Sequence, residues 1–160
     1  MVPQSTVNLA VELGAWLEQR GWRCVTAESC TAGGIGYAIS TVAGSSAWYE
    51  GGFITYSNAM KQSQLGVTSY TLAKYGAVSA ETAAAMARGA LTASGAEMAV
   101  AVTGVAGPGG GSTEKPVGLV WFGLAWQGEC ITWQQVFPGD RQAVRLATIN
   151  EALLSIKKIT

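Results

Sequence analysis

At 160 residues the chain has the length of one ordinary domain, with room for a substantial core. Apolar residues make up 49% of it and charged residues only 12%, about half of the ~25% usual for soluble proteins, and ten basic side chains balance ten acidic ones. The scattered basic residues form no stripe of the kind duplex nucleic acid demands, and no apolar run is long enough to cross a membrane.

In chain order, the first element is a helix over 5–20, where Leu9, Leu13, Trp16 and Leu17 repeat on one face and Gly21 supplies the stop. A short strand over 23–28 runs into the small-residue turn "SCTAGG", and a helix over about 32–42 follows, broken near Gly44. "GGFITY" (51–56) reads as a second strand. Ser57 reads as the N-cap of a short helix through Leu65, and a further short helix covers 70–75. Ser79 starts an Ala-rich helix over 80–94 that Gly95 ends. "EMAVAVTG" (97–104) shows no alternation, which predicts a strand buried on both faces. The glycine-rich stretch 105–116 is incompatible with regular structure. Strands over 117–126 and 130–137 flank Gln127-Gly128, a tight hairpin turn, and a last helix runs from Asp140 to Lys158. This order predicts an α/β fold of one domain over 1–160: a mixed, mostly parallel sheet with helices on both faces and antiparallel pairing in the final hairpin.

The low charge predicts a surface partly covered by another copy, a homo-oligomer and most simply a dimer. The N-terminus has no positive leader segment, so a cytoplasmic location is expected. Cys24, Cys30 and Cys130 are odd in number and lack metal-ligand spacing, which predicts reduced, mostly buried thiols. The chain contains no histidine. That excludes Ser-His-Asp and Cys-His mechanisms within one chain, and histidine-bound zinc. A hydroxyl nucleophile would need Lys, Tyr, Asp or Glu as its base.

Ligands in open α/β sheets collect at the carboxyl ends of strands. If the first three strands are parallel neighbours, Ser29, Tyr56, Lys61 and Thr103 share one crevice. Ser29 sits on a strand-to-helix turn, and Gly33, Gly34 and Gly36 leave the first helical turn open, so its free N–H groups can face a developing negative charge. The flanking Ala27 and Thr31 rule out G-x-S-x-G, and Ala32 rules out S-x-x-K. On local sequence alone, a serine that caps the following helix is the simpler reading. Cys30 is the rival nucleophile, its thiol lowered by the helix N-terminus. Thr31 donates hydrogen bonds or caps the helix. Lys61 serves as a base only if burial keeps it neutral; otherwise it is a solvated helix residue. Tyr56 either relays a proton between Lys61 and Ser29, holds the lysine, or stands half-buried in water. The 103–118 loop lacks G-K-[ST]; its glycines either cradle an anion with backbone N–H groups or form a flexible lid. Arg141 and Arg145, one helical turn apart, clamp an anion or are solvated.

"TAESCTAGG", "AGSSAWYEGGFITYSNAMK", "LGV", "GAVS", "TGVAGPGGGSTEKPVG" and "FPGDR" occur in that order. Through these blocks the chain closely resembles the CinA C-terminal domain family over roughly residues 6–155. The resemblance implies an α/β/α sandwich and hydrolysis of nicotinamide mononucleotide to nicotinate mononucleotide and ammonia, as in pyridine nucleotide recycling, with neither metal nor cofactor. It puts the family's serine on Ser29 as nucleophile, its lysine on Lys61 as base, and its tyrosine on Tyr56. Thr103 to Pro108, with Gly104 and Gly107, match its substrate-binding loop. Cys30, Thr31, Gly33 and Gly34 are expected to line the site, with the oxyanion against the 30–34 amides; Arg141 and Arg145 are our own assignment to the phosphate. Ala32 departs from the family pattern, which usually has Gly there, and a methyl group at that point is expected to narrow the pocket or shift an oxyanion donor. Larger relatives carry an extra N-terminal domain whose chemistry is not transferred. Two alternatives stand beside this reading: a non-catalytic nucleotide-binding or regulatory module, and a Cys30 amidase.

Overall fold

A computed structural model describes residues 2–159, and among them the sequence patterns resolve into six α-helices and five strands. Helix α1 (Gln4–Arg20) buries Ala10, Leu13 and Leu17 and closes on Gly21, whose φ of 67° lets its N–H reach the Glu18 carbonyl. Strand β1 (Cys24–Glu28) is buried at every position. Helix α2 (Gly34–Ser40) is shorter than the expected 32–42, and a 3₁₀ turn at Ser45–Ala47 leads into β2 (Tyr49–Ile54). Side chains then start the next three helices. Ser57 Oγ accepts from the Met60 N–H at 3.1 Å before α3 (Asn58–Leu65), Thr68 caps α4 (Ser69–Tyr75), and Ser79 caps α5 (Ala80–Ser94), which Gly95 ends. Strand β3 (Met98–Gly104) is buried on both faces, as its unbroken apolar run predicts.

Strands β4 (Leu119–Trp126) and β5 (Glu129–Val136) form the expected hairpin, with Gln127 and Gly128 at φ 43° and 80°, both in the left-handed region a tight two-residue turn requires. Asp140 caps α6 (Arg141–Leu153), accepting from the Ala143 N–H at 2.9 Å. The single helix expected to Lys158 is not formed. The Leu154 N–H splits between the Asn150 and Glu151 carbonyls, and a 3₁₀ turn, Ser155–Lys158, replaces the last α-turn.

The sheet order is β2-β1-β3-β4-β5. Strand β1 pairs in parallel with both β2 and β3, so Glu28 stands opposite Ile54 on one side and Val102 on the other. Strands β4 and β5 each join antiparallel. Helices α1, α2 and α6 cover one face, with Leu13, Leu17, Ile35, Ile39, Val144 and Leu153 packed on Val100, Val102, Phe122 and Leu124. Helices α3, α4 and α5 cover the other face, with Leu65, Leu72 and Met86 on Val25, Ala27, Ala99 and Ala101. The three-layer α/β/α sandwich follows from those two apolar faces. The small residues of α5 let it lie close: a Cβ on Gly123 of β4 would stand 2.5 Å from the Ala83 carbonyl oxygen. The consequence for function is that three parallel strands release the chain side by side, at Ser29, Thr55 and Gly104.

Candidate active site

The turn after β1 is organised by a residue that the strand-end argument passed over. Glu28 is almost fully buried, and four donors converge on its carboxylate. The Thr31 hydroxyl (2.6 Å), the Gly33 N–H (3.1 Å) and the Ile35 N–H (2.9 Å) meet Oε1, and the Gly36 N–H (3.0 Å) meets Oε2. A buried carboxylate needs such compensation, and the first turn of a helix offers amides with no partner in the helix. Gly33 begins that turn at φ 97°, and a Cβ on Gly36 would meet the Tyr49 hydroxyl at 2.6 Å. This corrects the expectation that the 30–34 amides are free for an oxyanion. Gly33 is bonded to Glu28, the Gly34 N–H donates to the Thr31 carbonyl, and the Ala32 N–H to the Ser29 carbonyl. The N–H groups of Cys30 and Thr31 remain without an acceptor among the described residues.

Ser29 does not cap the helix; α2 has Gly33 at its N-cap. Its side chain faces Lys61 instead, with Oγ 3.0 Å from Nζ. Ser57 and the helix it starts set that approach, since Lys61 lies in the first turn of α3 and points down onto the strand ends. Ser29 is 8% and Lys61 1% exposed. The lysine Nζ also donates to the Thr55 carbonyl (2.9 Å) and the Tyr56 carbonyl (3.2 Å). Burial pushes the Lys61 pKa below the ordinary lysine value, with Cys30 acting weakly in the opposite sense. Among the described residues the one salt bridge is Arg23–Glu50, so no carboxylate holds Lys61 charged. A neutral amine has two N–H groups and one lone pair. A charged Nζ donates to Ser29 Oγ as well as to the two carbonyls; in the neutral form the carbonyls take the two N–H groups and leave the lone pair for the Ser29 hydroxyl.

Tyr56 lines the same cleft but not as a relay. Its carbonyl holds the lysine, while its exposed hydroxyl accepts from Arg141 Nη2 at 3.0 Å. Ser29 and Lys61 touch directly, with no group between them. The Cys30 thiol is not lowered by the helix terminus. Burial pushes it up to about 11, and the neighbouring Glu28 charge acts in the same direction. The buried Thr31 side chain turns to Glu28 rather than into the cleft. Ala32 is exposed and sits at φ 48°, in the left-handed region that favours glycine, so its methyl group strains the turn without narrowing the pocket.

A cleft of about 300 Å³ gathers Ser29, Cys30, Tyr56, Lys61, Thr103, Gly104, Gly107 and Arg141. Asn58, Ala77 and Val78 also line it and were not anticipated. Thr103 donates to the Ala77 carbonyl at 2.8 Å, tying β3 to the segment before α5. Lys115 donates to the Tyr75 carbonyl at 2.6 Å, which pins the far side of the irregular glycine loop. A second hollow of about 630 Å³ shares Ala106 and Arg141 with the first. Gly33, Gly34 and Arg145 stay outside the Ser29 cleft. Arg145 donates through Nε to the Cys30 carbonyl and through Nη2 to the Thr31 carbonyl, both at 3.1 Å, and lines the second hollow beside Arg141. Arg141 donates through Nη1 to the Gly107 carbonyl at 2.7 Å, and each of the two arginines keeps further N–H groups beyond its two bonds. Among the described residues no group of three or more His, Cys, Asp or Glu side chains is placed to hold a metal ion.

Fold and site together define a three-layer α/β/α protein with a buried serine–lysine pair at the carboxyl ends of three parallel strands. The chain belongs to the family described as the CinA C-terminal domain, whose model matches residues 6–160. It is 57% identical over 140 residues to a protein of Enterobacter agglomerans named nicotinamide-nucleotide amidohydrolase PncC, covering 87% of this chain and 85% of that one. It is 48% identical over 157 residues to the protein of the same name from Escherichia coli K12, covering 98% and 95%. The crystal structure of the competence/damage inducible protein CihA from Agrobacterium tumefaciens superposes with a TM-score of 0.96 at 43% identity, covering 99% of this chain and 98% of that one.

Proposed function

We propose that the chain is an amidohydrolase that converts nicotinamide mononucleotide to nicotinate mononucleotide and ammonia, with Ser29 as nucleophile and Lys61 as base. The observation that carries the mechanism is the 3.0 Å approach of a buried, carboxylate-free lysine to the Ser29 hydroxyl. The substrate is supported by the names of relatives at 48–57% identity. Neutral Lys61 takes the Ser29 proton as Oγ attacks the carboxamide carbon. The resulting oxyanion meets the open N–H groups of Cys30 and Thr31. The C–N bond breaks, the lysine returns its proton to the leaving nitrogen, and ammonia departs. Water, deprotonated by the same amine, then cleaves the acyl ester and releases the carboxylate. We assign Arg141, which lines both hollows, to the phosphate.

Ammonia release from nicotinamide mononucleotide tests the proposal. Lys61→Ala is expected to lose about 100- to 10,000-fold in kcat, the range of a general base. Ser29→Ala is expected to lose at least as much. Unchanged turnover in either variant overturns the assignment. Substrate binding by the unaltered chain without any turnover favours a non-catalytic nucleotide-binding module instead.

A further inference from the structure

The two open amides of the turn point where they do because of the peptide groups behind them. A trans peptide holds its C=O and N–H on opposite sides. The Ser29 carbonyl accepts from the Ala32 N–H at 3.1 Å, which turns the Cys30 N–H away from the turn. The Cys30 carbonyl accepts from Arg145 Nε at 3.1 Å, so the Thr31 N–H points away from Arg145. The Thr31 carbonyl is held by the same guanidinium through Nη2. Arg145 is half-buried, makes no salt bridge among the described residues, and lines the hollow of about 630 Å³ beside Arg141 rather than the Ser29 cleft. Its planar fork spans two successive carbonyls, a geometry a lysine ammonium does not reproduce. Its charge also draws electron density from the Cys30–Thr31 peptide and strengthens that N–H as a donor.

We infer that Arg145 is a positioning residue that orients and polarises the oxyanion-binding amides of Cys30 and Thr31, not a ligand of the substrate phosphate. The inference rests on the serine amidohydrolase reading above. It differs from a phosphate role in what it changes: the stability of the tetrahedral intermediate rather than the grip on the nucleotide.

Arg145→Met and Arg145→Lys are compared with the unaltered chain in two assays. The first is steady-state ammonia release from nicotinamide mononucleotide, expressed per active site titrated so that misfolded molecules do not count. The second is the rate at which an alkyl fluorophosphonate labels Ser29, a reaction that needs the nucleophile and the oxyanion site but offers no nucleotide phosphate to bind. In Arg145→Met, kcat is expected to fall about 10- to 100-fold, less than the about 100- to 1,000-fold cost of deleting an oxyanion donor outright. KM stays within about twofold, labelling slows by a similar factor, and Arg145→Lys recovers part of both rates. A raised KM with kcat and labelling preserved overturns the inference and assigns Arg145 to the phosphate. If Arg145→Met does not fold, Arg145→Lys carries the same comparison, and labelling at the unaltered rate overturns the inference there too. An unaltered chain that neither releases ammonia nor is labelled at Ser29 sinks the amidohydrolase reading first, and this inference with it.

Discussion

At the scale of single residues, Glu28 sets the terms for its neighbours. A carboxylate closed in protein, with one hydroxyl and three amides on it, leaves the α2 terminus unable to bind a second anion. Glu28→Gln keeps the shape but turns an NH₂ group toward amide donors. Leaving a buried donor unsatisfied costs about 1–3 kcal/mol, so urea unfolding is expected to show a loss of that size. A stability equal to that of the unaltered chain would show that the four bonds contribute nothing net. Ser29, at a strand end, and Lys61, on the helix after one, are legible as candidates in a chain without histidine, but local sequence favours a capping serine and a solvated lysine, and their roles come from the family resemblance. Glu28 was not read as part of the site, because a strand that ends in a carboxylate ordinarily ends in water. Its signal was a lone acid after "CVTA" with glycines five, six and eight residues on, a spacing that supplies bare amides. The partners of Arg145 are hidden for another reason: backbone carbonyls have no sequence signature.

At the scale of elements, the lysine is placed by packing two helices away from the chemistry. Helix α3 carries Lys61 at its start and Leu65 at its end, and α5 presses against that end through Gly89. A Cβ on Gly89 would overlap the Leu65 carbonyl, with its carbon at 2.9 Å, and backbone cannot swing aside as a side chain does. Gly89→Ala gains helix propensity of up to about 1 kcal/mol but meets an overpacking cost of about 1–3 kcal/mol. The expected result is a net loss in denaturant stability, together with reduced turnover as α3 shifts and Lys61 leaves Ser29. Retained stability and activity would show that α3 does not depend on this contact. The element order, the caps at Ser57 and Ser79, and the Gln127-Gly128 turn were readable because each rests on local chemistry. The boundaries that moved did so for tertiary reasons. The second strand stops at Ile54 rather than Tyr56 because the carbonyls of Thr55 and Tyr56 turn to Lys61. The first turn of α2 is reshaped around Glu28.

At the scale of the whole molecule, stability rests on two apolar clusters, with one half-exposed salt bridge among the described residues. Such pairs are worth roughly 0–1 kcal/mol, so the pH response falls to buried titrating groups. Burial raises Cys24 and Tyr49 to about 12 and Cys30 to about 11, from 9.0 for the thiols and 10.0 for the phenol. An acid with a raised folded pKa keeps its proton in the native chain while the unfolded chain has already lost it. Its contribution to stability is therefore complete below the unfolded value and drains away as pH rises through the folded one. Lys61 has the opposite sign: its lowered folded pKa means stability grows with pH from that value to 10.5. Above pH 9 Cys24 and Cys30, with Cys130 raised in the same direction, outnumber the one amine, and Tyr49 joins them above pH 10, each displaced group shifting stability by about 1.4 kcal/mol per pH unit. Urea unfolding is expected to show a steady loss of stability between pH 9 and pH 11, and a shallower slope in Cys24→Ala. A curve that is flat or rises across that interval would mean that these groups are reached by water in the native protein, and that the apolar face under α1 and α2 is looser than its packing indicates.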